Sequence, residues 1–371
     1  MRLPKICGGF LNVTQKCNLA CKYCFVVQQP LEMTYETAKN AVDFYAENSL
    51  DETRIPQVTF FGGEPLLRYD DIVKPIVEYI RDTYGDYDVS LTTNGTLLDE
   101  EKLKFFSNHD VDILLSIDGD KKTQDLLRVK HDGSGSFDDI PIDLYLKYYP
   151  NGTFRSTLDP RNAEYMYENY LFAEKNGYKS MTMIPNVFEE WKDEDYKAVE
   201  DGLRKIMDHI AKKRKNGEPY TDFSEVSKFE EDFRKIKNGN PDNIRDQLRH
   251  LPACGTCGLG GNYAGSIGAS GDVYSCQEMT ENEDCKDFRI GNIYEGVDDK
   301  KRLDIMAKYH IDRVKSTKDG RCDECKAKIV CRGGCTINNY FATGSLETIP
   351  EAYCKYTELC LMANERTVKN G

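Results

Sequence analysis

The sequence has no run of roughly 18 consecutive apolar residues, the length that a helix needs to cross a bilayer. Its first residues, MRLPKICGGFLNV, lack the apolar core and cleavage site of a secretory signal peptide. The sequence also lacks an excess of positive charge, because its 50 Lys and Arg are outnumbered by 63 Asp and Glu, which gives a formal net charge of −13. Nucleic-acid binders are usually basic. We therefore expect a cytoplasmic protein with no membrane segment and no nucleic-acid partner.

No cysteine occurs between Cys24 and Cys254, although the chain has 14 cysteines in 371 residues. Disulfide frameworks are rare in the cytoplasm, so cysteines at short spacings indicate metal sites there. One group is CNLACKYC, which contains Cys17, Cys21 and Cys24. Zinc sites and cubane iron–sulfur clusters usually have four protein ligands. A triplet therefore implies a fourth ligand from elsewhere, or an iron left open to a ligand that is not protein.

Apolar runs typical of strands occur at residues 8–13, 57–61, 89–94, 111–118, 153–158 and 180–185. Helical spacing lies between them, at residues 38–45, 70–84, 99–107, 137–149, from Asp159 onward and at 199–210. This alternation predicts parallel β-α units, in an open doubly wound sheet or a partial barrel. A polar helix is expected within residues 216–250. The glycine- and cysteine-rich segment from Cys254 would need metals to hold it together.

Three motifs at the ends of predicted strands resemble the radical SAM superfamily. They are CNLACKYC after the first strand, GGEP (62–65) after the second and SID (116–118) closing the fourth. In that family three cysteines bind a [4Fe–4S] cluster, and S-adenosylmethionine (SAM) chelates the remaining iron, which accounts for the missing ligand. The resemblance implies a partial (β/α)6 barrel over residues 1–192. It also implies reductive cleavage of SAM to a 5′-deoxyadenosyl radical that abstracts a hydrogen atom.

The same resemblance implies a set of SAM-binding residues. Glu64 is expected to accept hydrogen bonds from the ammonium group of SAM, and Arg128 to reach its carboxylate. Ser116 and Asp118 would contact the ribose and the carboxylate. The remaining members of the set are the adenine contacts Tyr23 and Ile184, the glycines Gly62 and Gly63 that allow close backbone approach, and Thr93 and Asn94 of a TNG turn.

The C-terminal cysteines resemble a SPASM domain, which binds two auxiliary [4Fe–4S] clusters. The resemblance covers about residues 251–362 and implies three clusters in all. One auxiliary set would be Cys276 and Cys335 with Cys257 and Cys254, and the other would be Cys322, Cys325, Cys331 and Cys354. Cys285 and Cys360 are alternative cluster ligands, and Cys7 is expected to be a buried thiol. The alternative to two auxiliary clusters is a zinc ribbon. The predicted domains are 1–192, a helical bridge at 193–250, and 251–371.

Relatives with two auxiliary clusters mostly modify ribosomally made peptides or proteins. We therefore expect a radical SAM oxidoreductase that forms a thioether or other crosslink in a peptide, in the cytoplasm of an anaerobe. An electron donor such as flavodoxin or ferredoxin is implied. Because the first strand begins near residue 8, we expect no N-terminal leader-recognition domain. Substrate capture is then expected at the barrel mouth, on the SPASM surface or through a separate leader-binding protein.

The alternatives are an anaerobic sulfatase-maturating enzyme that forms formylglycine, a small-molecule radical SAM enzyme, and an iron–sulfur electron-transfer protein. Sulfatase-maturating relatives carry an Asp base directly after the cysteine of a G-x4-C segment, and a Tyr two positions after the third cluster cysteine. This chain has Gln277 and Val26 there, and a glutamine side chain does not take up a proton at neutral pH. The departures favour a crosslink, and Glu278 is the candidate catalytic base.

Overall fold

The computed structural model describes residues 3–237, 259, 263–307, 315–316, 321–329, 331 and 333–370. Its strands are β1 (Gly8–Thr14), β2 (Gln57–Gly62), β3 (Asp88–Thr93), β4 (Val111–Leu115), β5 (Thr153–Leu158), β6 (Ser180–Pro185), β7 (Asp222–Phe223), β8 (Ala264–Ile267), β9 (Asp272–Tyr274), β10 (Arg289–Asn292), β11 (Gly296–Val297), β12 (Lys315–Ser316) and β13 (Thr348–Ile349). All six strands predicted from apolar runs are present, so the α/β class is confirmed.

The described α-helices are α1 (Tyr35–Glu52), α2 (Lys74–Thr83), α3 (Glu100–Asn108), α4 (Lys121–Leu127), α5 (Ile142–Tyr148), α6 (Met166–Lys175), α7 (Asp193–Asn216), α8 (Ser224–Lys237), α9 (Asp299–Ala307), α10 (Arg321–Glu324), α11 (Thr336–Thr343) and α12 (Glu351–Asn370). None of them combines the length and apolar character needed to cross a bilayer. The chain divides into two compact units, residues 1–20, 24–114 and 248–310, and residues 21–23, 115–247 and 311–371. The domain boundaries expected from the sequence stay predictions.

The first unit is built on a sheet with the strand order β11-β10-β9-β8-β1-β2-β3-β4. Strands β8, β1, β2 and β3 are parallel, whereas β9, β10 and β11 are added antiparallel. Helix α1 begins where Thr34 accepts a hydrogen bond from the Thr37 backbone N–H, the usual arrangement at an N-cap. The predicted face of this helix, with Ala38, Val42 and Tyr45, is buried.

The second unit contains the parallel sheet β5-β6-β7, with Thr153 opposite Ser180 and Leu158 opposite Pro185. Helix α7 carries the predicted apolar stripe, and all five of its members are buried: Val199, Leu203, Ile206, Met207 and Ile210. Helix α12 packs against both α7 and α8. Helix α8 accounts for part of the polar helix expected within residues 216–250, of which 238–250 lie outside the described residues.

Proline explains one difference from the expected elements. The helix predicted over residues 137–149 is wrong as a single element, because it is a 3₁₀ turn, Phe137–Asp139, followed by α5. Pro141 disfavours helical backbone in the residue before it, and Ile140 is accordingly extended, with φ −93° and ψ 114°.

A second difference lies after Asp159, because the α-helix expected from Asp159-Pro160 does not begin there. Asp159 directs its carboxylate to Arg161 and Asn186, and its backbone N–H donates to Asn162 Oδ1 at 2.8 Å. The carboxylate also accepts the Arg161 backbone N–H at 3.0 Å, as an N-cap does. The backbone that follows nevertheless forms a turn and a 3₁₀ turn, Ala163–Tyr165, and α6 begins only at Met166. The SID strand also stops early, at Leu115, and is followed by helix α4, which the sequence patterns did not predict.

Candidate active site

In the first unit, the loops that follow β1, β2 and β3 carry the predicted motifs, at the strand ends where parallel sheets bind ligands. The loop after β3 contacts the cysteine loop directly. Asn94 Nδ2 donates to Asn18 Oδ1 at 2.9 Å and lies 3.8 Å from Cys17 Sγ. The Leu19 backbone N–H also points at Cys17 Sγ, at 3.4 Å. Burial raises the pKa of the Cys17 thiol to about 11, whereas a thiol that binds a metal is deprotonated.

Glu64 is a buried carboxylate at the start of the turn after β2. Its Oε1 accepts hydrogen bonds from Leu66 N at 3.0 Å and Thr93 Oγ1 at 2.8 Å, and its Oε2 accepts one from Asn94 N at 2.8 Å. Burial raises the pKa of Glu64 to about 7. An ionised carboxylate has about four acceptor positions, so one remains on Oε2. A buried carboxylate whose described donors are all uncharged fits an added cation such as the ammonium group of SAM.

The two glycines before Glu64 are required by the backbone of the cysteine loop. A Cβ on Gly63 would lie 2.2 Å from the Lys16 carbonyl oxygen, and one on Gly62 would lie 2.0 Å from that of Thr14. Gly62 also has φ +136°, which side chains of L-residues rarely allow. The sequence suggested that these glycines admit a ligand. The structure shows that they admit the backbone that leads into Cys17.

In the second unit, Asp118 joins two of the other predicted residues. Its Oδ1 accepts hydrogen bonds from Arg128 Nη2 at 3.1 Å and Thr157 N at 3.0 Å, and its Oδ2 accepts one from Tyr23 Oη. Asp118 is fully buried, so its carboxylate positions Tyr23 and Arg128. Burial alone would lower the pKa of Arg128, but Asp118 and Tyr23 hold it above its ordinary value. Arg128 Nε is buried with no partner among the described residues, which fits an anionic ligand.

Arg155, in the middle of β5, was missed by the sequence analysis. Its Nη1 is buried without a described partner. Burial lowers the pKa of Arg155, and the nearby Arg128 adds to that effect. The sequence TFRSTL did contain a signal for this residue. Arg155 is the one charged residue of a short strand, and a charged side chain there needs polar or charged partners. The Arg155 carbonyl also accepts the Ile117 N–H at 3.0 Å, and Ser116 pairs with Arg155 in an isolated β-bridge.

Ile184, the other expected adenine contact, is 37% exposed near the end of β6. It lines a cavity of about 300 Å³ within the second unit, together with residues of α8 and α12. Glu225 lies in this cavity and accepts a hydrogen bond from Met183 N at 3.2 Å. Burial raises the pKa of Glu225 to about 7. Cys331 and Cys360 line the same cavity.

The remaining predicted cysteine ligands are divided between the units. Cys276 lies in the first unit, directly before the 3₁₀ turn Gln277–Met279. The second unit contains Cys21 of the triplet and the C-terminal set Cys322, Cys325, Cys331, Cys335 and Cys354. Cys254 and Cys257 lie outside the described residues. The described cysteines form no disulfide, and Cys7, Cys285 and Cys360 are buried.

The described His, Cys, Asp and Glu side chains include no group of three or more that meets at one metal ion. Thiolates of a cubane bind separate irons, so they do not have to meet at one point. The loop at Cys331 has features of a binding turn, because Gly333 N–H points at Cys331 Sγ at 3.4 Å. Gly333 and Gly334 both have positive φ, at 80° and 78°. The cysteine ligand sets stay predictions.

Val26 and Gln277, the two positions that the sequence resemblance singled out on the substrate side, line one small cavity in the first unit. Its volume is about 20 Å³. Glu278, the candidate base, lines it as well, and so does Phe25, which stacks on Phe61 with ring centroids 6.2 Å apart. The substrate-side departures noted in the sequence are therefore neighbours in space.

We expect Asp118→Ala to destabilise the protein by about 3–5 kcal/mol, because it leaves the buried Arg128 guanidinium without its carboxylate. Urea unfolding followed by circular dichroism measures this change. The control is Asp112→Ala, which removes an exposed carboxylate from β4. Equal unfolding midpoints for the two variants would contradict the positioning role of Asp118.

A model of the radical SAM superfamily matches residues 11–201, which is 191 of the 371 residues. A serine-type anaerobic sulfatase-maturating enzyme of Bacteroides thetaiotaomicron is 25% identical over 368 residues, covering 91% of this chain and 84% of that protein. The solved structure of native anSMEcpe with bound AdoMet superposes with a TM-score of 0.72 at 21% identity, covering 98% of this chain and 98% of that one.

A second solved structure, Streptococcus suis SuiB bound to the precursor peptide SuiA, has a TM-score of 0.60 at 16% identity. It covers 95% of this chain and 76% of SuiB. At these identities the two structural likenesses show the fold, which both share over nearly the whole length of this chain.

Proposed function

This chain belongs to the radical SAM superfamily, whose members use a [4Fe–4S] cluster and SAM, and we propose that it oxidatively modifies a ribosomal peptide, forming a thioether or other crosslink. The sulfatase-maturating relative and the peptide-bound SuiB structure support a peptide or protein as the substrate. Two auxiliary clusters, at the C-terminal cysteines named above, belong to the same proposal. So do a flavodoxin or ferredoxin as electron donor, a separate leader-binding protein and a cytoplasmic location in an anaerobe.

When bound, the cluster and SAM supply one-electron cleavage of SAM and the hydrogen-atom abstraction that follows. The side chains of this protein position the cluster and SAM and supply charges complementary to those of SAM. Cys17, Cys21 and Cys24 would hold the cluster, and Glu64 offers the remaining acceptor position on Oε2 to the ammonium group of SAM. Arg128, held by Asp118, offers its buried Nε to a carboxylate.

The observation that carries the choice of crosslink over formylglycine is the cavity that contains both Val26 and Gln277. The two side chains that differ from sulfatase-maturating relatives meet there, so the difference affects one site and not two unrelated surfaces. A glutamine amide does not accept a proton at neutral pH. Glu278 is the carboxylate next to that position in the sequence, and we propose it as the catalytic base.

The test is anaerobic incubation of the reconstituted protein with SAM and dithionite, together with a perdeuterated short peptide encoded beside its gene. We expect 5′-deoxyadenosine to form and to carry deuterium taken from the peptide, with a mass change in the peptide itself. Deuterium-free 5′-deoxyadenosine with every such peptide would contradict a peptide substrate and favour a small molecule. No 5′-deoxyadenosine at all would favour an electron-transfer protein.

A cysteine-type sulfatase peptide tests the formylglycine alternative in the same assay. We expect the wild-type protein to leave this peptide unchanged, because position 277 lacks a base. The readout is an aldehyde trapped as a hydrazone and detected by mass spectrometry. An aldehyde formed by the wild-type protein would replace the crosslinking proposal with sulfatase maturation.

A further inference from the structure

The small cavity of the first unit has a buried wall made of Asn12, Gln15 and Thr280, each 4–5% exposed. Its outer walls come from two segments. Phe25, Val26 and Val27 directly follow Cys24, and Gln277 and Glu278 directly follow Cys276. With a volume of about 20 Å³, the cavity holds one group of the size of a water molecule, which needs roughly 10–15 Å³.

Gln15 lines this cavity and has one acceptor without a described partner. Its Nε2 donates to the Thr280 carbonyl at 3.2 Å and lies 3.4 Å from Glu281 Oε2. Both partners are acceptors, so the amide nitrogen must face them and the amide oxygen must face away. That oxygen, Oε1, is buried and has no hydrogen-bond partner in the described part of the chain. A buried amide oxygen without a partner is costly, so it indicates a donor that is not among the described residues.

The two other polar side chains of the buried wall both make a hydrogen bond to Ser266. Asn12 Nδ2 donates to Ser266 Oγ at 3.1 Å, and the Thr280 hydroxyl lies 2.8 Å from the same oxygen. Two carboxylates, those of Glu278 and Glu281, also line the cavity. The lining of this water-sized space therefore includes a buried acceptor, Gln15 Oε1, and two carboxylates.

We propose that this cavity binds a primary ammonium group of the peptide substrate. The inference rests on the proposed function, because the two outer walls are the segments next to Cys24 and Cys276, where a substrate peptide would be held. An ammonium group has three donors, a positive charge and the size of a water molecule, and so matches the acceptor and charge pattern. It could come from a lysine side chain or from the α-amine of the peptide. The acidic balance of the chain, −13, is consistent with a basic substrate.

The experiment measures the binding of four short peptides to the reconstituted holoprotein by NMR, in tetramethylammonium chloride. Ac-Ala-Lys-Ala-NH2 carries the side-chain ammonium group, and Ac-Ala-Nle-Ala-NH2 replaces it with a methyl group. Ala-Nle-Ala-NH2 carries only the α-amine and Ac-Ala-Gln-Ala-NH2 a neutral donor. We expect an ammonium-bearing peptide to bind about ten-fold more tightly than the norleucine peptide, as one hydrogen bond to a charged group provides. Comparison of the lysine and α-amine peptides shows whether the bound ammonium group comes from a lysine side chain or from the α-amine of the peptide.

Two variants test whether the preference for ammonium-bearing peptides arises in this cavity. Gln15→Met should remove most of the ten-fold preference without changing the affinity for the norleucine peptide. Glu278→Gln should reduce the preference several-fold, and it carries the test if Gln15→Met does not fold. The control Glu283→Gln removes an exposed carboxylate nearby and should keep the wild-type preference.

Three results would overturn the inference. The first is equal affinity for all four peptides, which would mean that a buried water occupies the cavity. The second is a preference for the glutamine peptide. The third is a preference for ammonium-bearing peptides that stays unchanged in both cavity variants. SAM cleavage is measured on the same samples. Cleavage without an ammonium preference overturns this inference alone, whereas failure of SAM cleavage overturns the proposed function.

Discussion

Replacing Cys17, Cys21 and Cys24 together with alanine is expected to remove roughly four of about twelve irons and to abolish SAM cleavage. Each cubane contains four irons, and the three cysteine sets imply three cubanes. No other described cysteine lies in the loop after β1, so that loop offers no replacement for the lost thiolates. Iron is measured by a colorimetric assay after anaerobic reconstitution, and SAM cleavage by chromatography of 5′-deoxyadenosine.

The matched control is Cys7→Ala, which removes a buried thiol that is not among the expected cluster ligands and should keep both iron and SAM cleavage. A triple variant that still forms 5′-deoxyadenosine would show that the active-site assignment is wrong. A variant that loses more than roughly four irons would instead show that the auxiliary sites depend on the first cluster.

Replacing Glu64 with alanine is expected to weaken SAM binding roughly ten- to a hundred-fold while all clusters keep their iron. A hydrogen bond to a charged group contributes about 1.5–3 kcal/mol, which corresponds to that range of affinity. The change also leaves the donors of Leu66, Thr93 and Asn94 without their acceptor, so stability should fall as well. Equilibrium dialysis with radiolabelled SAM measures the dissociation constant.

Glu64 also predicts how SAM affinity depends on pH. Because its pKa is raised to about 7, the carboxyl group of the SAM-free protein gains a proton, and loses its charge, as the pH falls below that value. Wild-type affinity should therefore fall between pH 8 and pH 6, and Glu64→Gln should show no such change. The control Glu101→Gln, at an exposed position in the first turn of α3, should behave as wild type. An unchanged dissociation constant in Glu64→Ala would rule out the ammonium contact.

Much of this fold could be predicted because the signals were local. The spacing of Ala38, Val42 and Tyr45 determines a buried helix face within eight residues. The same holds for the stripe of α7 and for the alternation along the predicted strands. CNLACKYC and GGEP were informative because a single loop holds each of them, so their chemistry depends little on the rest of the chain.

The features that the sequence did not predict depend on contacts between distant residues. Gln15 meets Thr280 across 265 positions, and no short pattern reports such a pair. Asp159 shows the same limitation on a smaller scale. Its carboxylate accepts the Arg161 backbone N–H as an N-cap does, but it also binds the side chains of Arg161 and Asn186, and the α-helix begins only at Met166. Helix α4 was missed because it is seven residues long and its sequence, KKTQDLL, has too few apolar positions to show a period.

The pairing of β1 with β8 has a consequence for how the chain folds during its synthesis. Gly8 lies opposite Ala264, so the partners are 256 positions apart (264 minus 8). At roughly 5–20 residues per second, a ribosome needs about 13–50 seconds to make the residues between them. During that time one edge of β1 has no strand to pair with, and exposed strand edges promote association between chains. Until β8 has been synthesised, the nascent chain is therefore prone to association with other chains through the open edge of β1.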